Sequence, residues 1–431
     1  MWYPLPVLRV LATLAALSGS AAASPFEVLG LTSRHAGQAN AGVASVDDAA
    51  ALYYNPAGLA AHPGGDVSIG IIAGYAHLER GDPLEDPGGA QLAIRTPLPI
   101  RGSLHDRIFV GIALHLLPHD VAHILAPAPD QPYYPYYGDR MSRIVVLPGA
   151  AVRFGRLAVG VSVDVLGGLV GSLSATEGAT RAIDASADEQ IPGVARAIVG
   201  ATWQATPCVR VGAVFRNRFE VPFSTSAHTI VAGEPIDLAV SASGQFTPHQ
   251  LVVGGAWSRG AHAISVDARY ARWSDYPGPY VVVASTLPLV GEVPALSPRV
   301  PFEDSYGARI GIESRFGTWI ARGGYGFETS AVPAQQTGVT NLLDGPRHTF
   351  ALGVGRTWGR MRVDAHVQLH YVQRRAIEKL LDDGVGTYDP FTRLRDEDVD
   401  APGLQITNPG FPGIASGGEV LSGGVTMAVG L

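Results

Sequence analysis

Arg360-Met361-Arg362-Val363-Asp364-Ala365-His366-Val367-Gln368-Leu369-His370-Tyr371-Val372-Gln373-Arg374 alternates for most of its length. Apolar Met361, Val363, Ala365, Val367, Leu369 and Tyr371 hold the odd positions; Arg362, Asp364, His366, Gln368 and His370 hold the even ones. Successive side chains of a strand point to opposite faces, so this stretch has one oily face and one charged face. The pattern recurs over 157–165, 209–216, 264–270 and 308–313. Half-buried strands of a soluble sandwich alternate in the same way, so strand length and connections must separate the two readings.

The connections are asymmetric. Tight turns at 154–156, 206–208, 258–261, 316–317 and 358–360 alternate with long polar, Pro-rich loops at 118–142, 174–192, 222–235, 276–301, 329–346 and 375–418. Short turns at one end and long loops at the other mark an outer-membrane-type barrel. About fourteen strands can be counted, at 66–78, 91–98, 107–117, 143–154, 156–173, 194–205, 209–219, 236–258, 262–274, 305–316, 318–327, 347–358, 360–373 and 418–431. The even number places both barrel ends on the periplasmic side. Trp203, Trp257, Trp273, Trp319 and Trp358 near strand ends suit interfacial aromatic girdles. The expected fold is therefore all-β, a transmembrane antiparallel β-barrel of about 14 strands. Leu431 departs from the aromatic residue that usually closes a barrel-assembly signal.

Composition agrees. Of 431 residues, 46% are hydrophobic and only 16% charged, low for a soluble enzyme of this size. A net charge of -7 with no basic stripe excludes a nucleic-acid partner. Arg9, the apolar run 10–17 and the small residues 18–23 read as a secretory signal cut after Ala23. Ser24 and not a cysteine stands directly after the cut, so no lipid anchor is expected, and the single Cys208 cannot form an intramolecular disulfide. No later apolar run is long enough for a spanning helix.

Residues 24–60 break the alternation. Residues 46–52 read as a short helix with Asp47 and Asp48 opposing its dipole, and Asn55-Pro56-Ala57-Gly58 fits a type I turn. A compact segment entering a barrel from its N-terminus reads as a plug, or hatch, where its absence would leave an open pore. The expected division is a signal peptide at 1–23, a hatch at 24–65 and a barrel at 66–431.

The run Gly42-Val43-Ala44-Ser45-Val46-Asp47-Asp48-Ala49-Ala50-Ala51-Leu52-Tyr53-Tyr54-Asn55-Pro56-Ala57-Gly58 resembles the hatch of the FadL-type long-chain fatty acid transporters, a family that includes aromatic-hydrocarbon importers. A second match runs through Trp273-Ser274-Asp275-Tyr276, Tyr306-Gly307-Ala308-Arg309-Ile310-Gly311, Arg322-Gly323-Gly324-Tyr325-Gly326-Phe327, Ser330-Ala331-Val332-Pro333 and Leu343-Asp344-Gly345-Pro346-Arg347-His348. Gly323 stands where the family usually has Ala, and Ala331 where it has Pro. The resemblance covers the N-terminal segment and the last third well, and the middle mainly by strand count. It implies an apolar pocket lined in part by Phe26, Val28 and Leu29, with passage by a shifting hatch and a sideways opening at a bent strand. It also implies a multi-pass protein of a Gram-negative outer membrane, importing long-chain fatty acids or related hydrophobic compounds. Lipid bilayer, lipopolysaccharide and the barrel-assembly machinery are the partners that go with this.

Other candidate sites are weighed on their residues. Tyr133, Tyr134, Tyr136 and Tyr137, with the apolar stretch 121–129, form a candidate capture surface on an outer loop, or else pack on one another or on lipid headgroups. Arg210, Arg216, Arg269, Arg309 and Arg362 are read as pairing with Asp164, Asp267, Glu313 and Asp364 rather than with a substrate carboxylate. His115, His119 and His123 have helical spacing, but Pro118 interrupts them, so no metal site is expected. No cofactor motif and no catalytic constellation appears; Gly160-Val161-Ser162-Val163-Asp164 lacks the second glycine of a nucleophile elbow. A general porin and an outer-membrane lipase remain as alternatives.

Overall fold

In the computed structural model, fourteen antiparallel strands pair in chain order and the last pairs with the first. The structure describes residues 25–79, 86–117, 131–137, 144–167, 169–177, 183–190, 193–231, 234–280, 282–287, 291–293, 300–380, 410 and 412–431. The signal peptide expected at 1–23, the apolar stretch 121–129, His119 and His123 lie outside them. The wall is β1 Asp66–Leu78, β2 Gly88–Pro97, β3 Ile108–Leu116, β4 Val145–Phe154, β5 Leu157–Gly167, β6 Gly193–Thr206, β7 Val209–Arg216, β8 Gln250–Arg259, β9 His262–Ala271, β10 Ser305–Phe316, β11 Trp319–Glu328, β12 Arg347–Trp358, β13 Met361–Leu380 and β14 Gly413–Gly430. The seam runs from Asp66↔Gly430 to Leu78↔Gly418, and β14 pairs with β13 along its other edge.

The alternation read in 360–374 sorts inside from outside, with polarity inverted relative to a soluble protein. Asp364 and Gln368 are fully buried, while Val367 is 47% exposed. The same inversion exposes Ile71, Phe215, Leu251, Ile312 and Phe350 around the wall. A belt of exposed apolar side chains this continuous is a bilayer-facing surface, because water would penalise it. No helix among the described residues is long and apolar enough to cross a membrane.

Both barrel ends lie at the short-turn rim, where Leu431 N–H donates to the Gly65 carbonyl. Gly155, Gly260, Gly317 and Gly359 turn the hairpins there with φ between 59 and 62°, a region that other residues enter at a cost. At the opposite rim, the long connections carry more order than their composition suggests. Leu169–Glu177, Ile183–Gln190, Phe219–Val231, Glu234–Thr247, Val282–Leu287 and Gly291–Val293 form a second, six-stranded sheet.

Three expected elements are corrected. The strand read at 156–173 ends in the wall at Gly167, and Leu169–Glu177 belongs to the second sheet. The strand read at 236–258 is two strands in different sheets, separated at Pro248-His249, where Pro248 has no N–H to continue a ladder. The helix read at 46–52 begins only at Ala51: α1 is Ser33–Ala36, α2 is Ala51–Tyr54, and a 3-10 turn Pro56–Ala60 follows. Asp48 Oδ1 accepts from Ala50 N–H at 3.1 Å, a local turn ahead of the helix, whose N-cap, Ala50, offers no side-chain capping bond. Residues 25–60 are almost wholly buried, and their helical turns contact the inward sides of β3, β4, β5, β6, β12, β13 and β14.

An outward position in the middle of the wall should tolerate charge far worse than one at its rim. Ile71→Arg is expected to lower folding stability in lipid vesicles by about 2–4 kcal/mol and Phe154→Arg by about 0–1 kcal/mol, measured by urea titration. Equal costs would contradict the bilayer-facing assignment.

Candidate functional site

A helical segment inside a closed sheet meets no ladder, so its free N–H and C=O groups need side-chain partners. The inward residues of the wall supply them. Asp267 Oδ2 accepts from Gly42 N–H at 2.8 Å and Val43 N–H at 3.1 Å, and Gln91 accepts from Thr32 N–H and donates to the Gly30 carbonyl. Thr426 takes the Ser33 N–H, Ser162 donates to the Leu52 carbonyl, Arg216 to the Tyr53 carbonyl and Arg95 to the Leu59 carbonyl. These partners sit on β2, β5, β7, β9 and β14, so the segment is held from around the ring.

Asn55 occupies the centre of this arrangement. Its Nδ2 donates to the Val43 carbonyl at 2.8 Å and to the Ala201 carbonyl of β6 at 3.1 Å, while its Oδ1 accepts from Ala57 N–H. The Gly58 N–H donates to the Asn55 carbonyl at 2.8 Å, which is the turn bond read from the sequence, and the chain continues as 3-10 helix. Pro56 and Ala57 lie on β5: a Cβ at Gly160 would meet the Pro56 carbonyl carbon at 2.4 Å. A Cβ at Gly200 would meet Asn55 Oδ1 at 2.0 Å, and one at Gly324 the Gln38 carbonyl carbon at 2.2 Å. The glycines on the inward face thus form a flat seat, a signal present in the alternating strands that residue-type reading passed over.

Toward the short-turn rim, Arg34 reaches Asp47 at 2.5 Å, Asp48 at 3.1 Å and Glu313 at 3.5 Å. Arg362 joins Asp48 to Asp364, and Arg322 joins Asp364 to Glu313. Burial alone would raise the Asp48 carboxyl, but His35, Arg34 and Arg362 hold it well below the usual carboxylate range. Beside this ring, a cavity of about 260 Å³ is lined by Arg34, His35, Gln38, Arg210 and Glu313. Its charged and polar groups share the wall with Ala256, Trp257 and Ala263.

Toward the long-loop rim the chemistry changes. Phe26, Val28 and Leu29 are fully buried; Phe26 packs on Tyr53 at 5.3 Å, and Val28 and Leu29 join an aromatic cluster. Phe246 and Tyr276 stack at 4.7 Å, Tyr276 meets Phe302 at 4.7 Å, and Trp273 stands edge-on to Tyr276. Tyr133, Tyr134, Tyr136 and Tyr137 belong to the same cluster and are buried, which is the packing alternative to a capture surface. Tyr134 hydroxyl donates to the Glu79 carbonyl and accepts from Gly417 N–H, and Tyr136 lies under the Arg347 guanidinium, 3.5 Å from ring centroid to Cζ. These contacts turn the tyrosines inward, where their rings lose water-exposed area.

The cations bordering that cluster are occupied. Arg347 pairs with Asp344 at 2.7 Å and Glu328 at 2.9 Å, and Arg269 with Glu328 at 2.7 Å and Glu27 at 3.3 Å. Gln250 donates to the other oxygen of Glu27. Lys379 donates to the Gly338 and Thr340 carbonyls and to Asn341 Oδ1, using all three of its protons. Asp267 serves the segment's backbone rather than an arginine, and Asp164 pairs with Arg196 at 3.0 Å. Of the five inward arginines read from the sequence, Arg309 makes no hydrogen bond or ion pair among the described residues.

No family model and no curated protein sequence matches this chain. Solved structures do. The CymD monoaromatic hydrocarbon channel is 17% identical over 94% of this chain and 99% of its own, with a TM-score of 0.56. A Pseudomonas aeruginosa FadL homologue is 10% identical over 96% and 99%, with a TM-score of 0.58. The Ralstonia pickettii toluene transporter TbuX is 15% identical over 94% and 100%, with a TM-score of 0.54. At these identities the likeness establishes the fold.

The glycine seat can be tested directly. Gly200→Val should displace Asn55 and make the Arg34 region of the detergent-solubilised protein sensitive to trypsin, with the barrel still migrating in its heat-resistant form. Gly255→Val, where a Cβ meets nothing within 4 Å, should leave cleavage unchanged. Equal sensitivity of the two variants would remove the seat as the docking device.

Proposed function

We propose that this chain is an outer-membrane import channel for hydrophobic compounds, in which residues 24–65 act as a hatch within a barrel of residues 66–431. The observation that carries the reading is the pairing of a buried N-terminal segment, hydrogen-bonded from around the ring, with an aromatic cluster directly on its long-loop side. The proteins of like fold are a monoaromatic hydrocarbon channel and a toluene transporter by their descriptions, which agrees with that pairing.

In this reading Phe26, Val28 and Leu29 form the floor of the ligand pocket and Tyr133, Tyr134, Tyr136 and Tyr137 its roof. A ligand displaces ring–ring contacts and pushes on the floor, and the charged cavity of about 260 Å³ beyond Arg34 is a water-filled vestibule, not a second apolar site. Asn55, Pro56, Ala57 and Gly58 keep the hatch seated. Lipopolysaccharide surrounds the long-loop rim, and the barrel-assembly machinery receives the β1–β14 seam. An open porin is disfavoured by the buried segment, and no nucleophile constellation among the described residues supports a lipase.

The occupied cations favour a neutral ligand over a carboxylate, because Arg269 and Arg347 would each have to abandon a buried acid to meet one. A second reading rests on Arg309, which has donors to spare and would hold a fatty acid's carboxylate deeper in the lumen.

Uptake of labelled toluene and of labelled long-chain fatty acid, in a strain lacking its own transporter, decides among these. Toluene uptake well above vector that is unaffected by Arg309→Gln supports the neutral ligand; fatty acid uptake abolished by Arg309→Gln supports the second reading. No uptake of either by protein shown to be folded in the membrane would sink both. Planar-bilayer recordings should show little steady conductance, rising when Pro56 and Gly58 are replaced by bulkier residues; a large open conductance in the unaltered protein would favour the porin.

A further inference from the structure

Gly323 and Gly324 are neighbours with different needs. Gly324 faces inward against Gln38, where a Cβ is impossible. Gly323 faces outward, and a Cβ there would find its nearest neighbours, the Ala351 carbonyl oxygen and Leu352 Cδ2, both at 3.9 Å. Nothing among the described residues requires this glycine. Its lack of a side chain instead leaves an apolar cleft of about 430 Å³ on the bilayer face, walled by Phe350, Leu352, Val367 and Leu369.

Further down the same outward row is a charge. Between 319 and 371, Arg356 is the only Arg, Lys, Asp or Glu at an outward position of β11, β12 or β13. A lone cation on a bilayer-facing wall is costly unless something meets it. Its guanidinium lies 4.8 Å from the ring centroids of both Trp319 and Trp358, at the short-turn rim. The two rings hold it by their faces, Nε is buried without a hydrogen-bond partner, and no acid pairs with it among the described residues. Ring contacts leave the in-plane N–H groups available, and a planar fork of donors suits a phosphate.

The spacing joins the two features. Leu352 is four residues from Arg356 on one strand, roughly 13 Å at the rise of a β-strand, within the ~15 Å thickness of one leaflet's hydrocarbon. We propose that Arg356 and the Gly323 cleft form one site for an anionic phospholipid of the leaflet at the short-turn rim. The phosphate lies on the guanidinium edge and one acyl chain lies in the cleft. The site depends on the bilayer-facing wall and not on the import reading.

Native mass spectrometry of the detergent-released full-length barrel, incubated with phosphatidylglycerol or phosphatidylcholine of equal chain length, tests it. The unaltered protein should retain one phosphatidylglycerol, about fivefold in preference to phosphatidylcholine. Arg356→Gln should abolish the preference, Arg356→Lys should keep part of it, and Gly323→Leu, which fills the cleft without a clash, should lower retention of both lipids. Equal retention of the two lipids by the unaltered protein, or undiminished preference in Arg356→Gln, would overturn the headgroup assignment. Undiminished retention in Gly323→Leu would overturn the cleft.

Discussion

In hydrocarbon every peptide N–H and C=O must find its partner within the protein, and a sheet meets that demand only when it has no edge. The pairing of β1 with β14 is therefore the condition for the rest of the structure. It commits one face of each strand to lipid and the other to a lumen, and a ring of fourteen strands encloses more space than wall side chains of ordinary size would fill. What occupies that space here is the chain's own N-terminal segment, and the polarity of the inward face follows from having to bond a backbone that has no ladder.

The six charges Arg34, Asp48, Arg362, Asp364, Arg322 and Glu313 alternate in sign around a closed circuit, each meeting two of the opposite sign. Buried ions are expensive to desolvate, and the circuit limits the cost by leaving none of them with a single partner. Two of its members come from the N-terminal segment and four from β10, β11 and β13. The circuit is consequently less a contribution to barrel stability than a fit between two parts: it is complete only when the segment sits in one register.

The wall was legible in the sequence because a period of two survives in strands such as 361–371, where polarity alone assigns each residue its face. Turn asymmetry then fixed which end is which. Where several signals overlap, reading failed: 236–258 looks like one apolar run, and only the missing N–H of Pro248 marks that it serves two sheets. Ile183–Gln190, Val282–Leu287 and most of Phe219–Val231 lack the lipid-facing alternation, so composition presents them as loops, whereas 169–173 and 236–247 read as continuations of wall strands. The tyrosines of 133–137 read equally as an exposed patch or a packed one, because exposure is a property of tertiary contacts such as Tyr134 with Gly417, 283 residues away. The glycine seat was hidden for a different reason. Gly160, Gly200 and Gly324 fit the alternation as neutral positions, and their purpose emerges only from what approaches them.

The seam joins the first strand of the wall to the last, and this imposes an order of assembly. Residues 25–60 are made before any strand, yet the cylinder around them cannot shut until residue 430 exists, so nearly the whole chain must be translated, secreted and held before the final ladder forms. Contacts of such sequence separation form slowly. Until then the enclosed segment has only part of its hydrogen-bond partners, since Asp66 of β1 and Thr426 of β14 stand on opposite banks of the open seam. Closing the wall and seating its contents are thus one event in time.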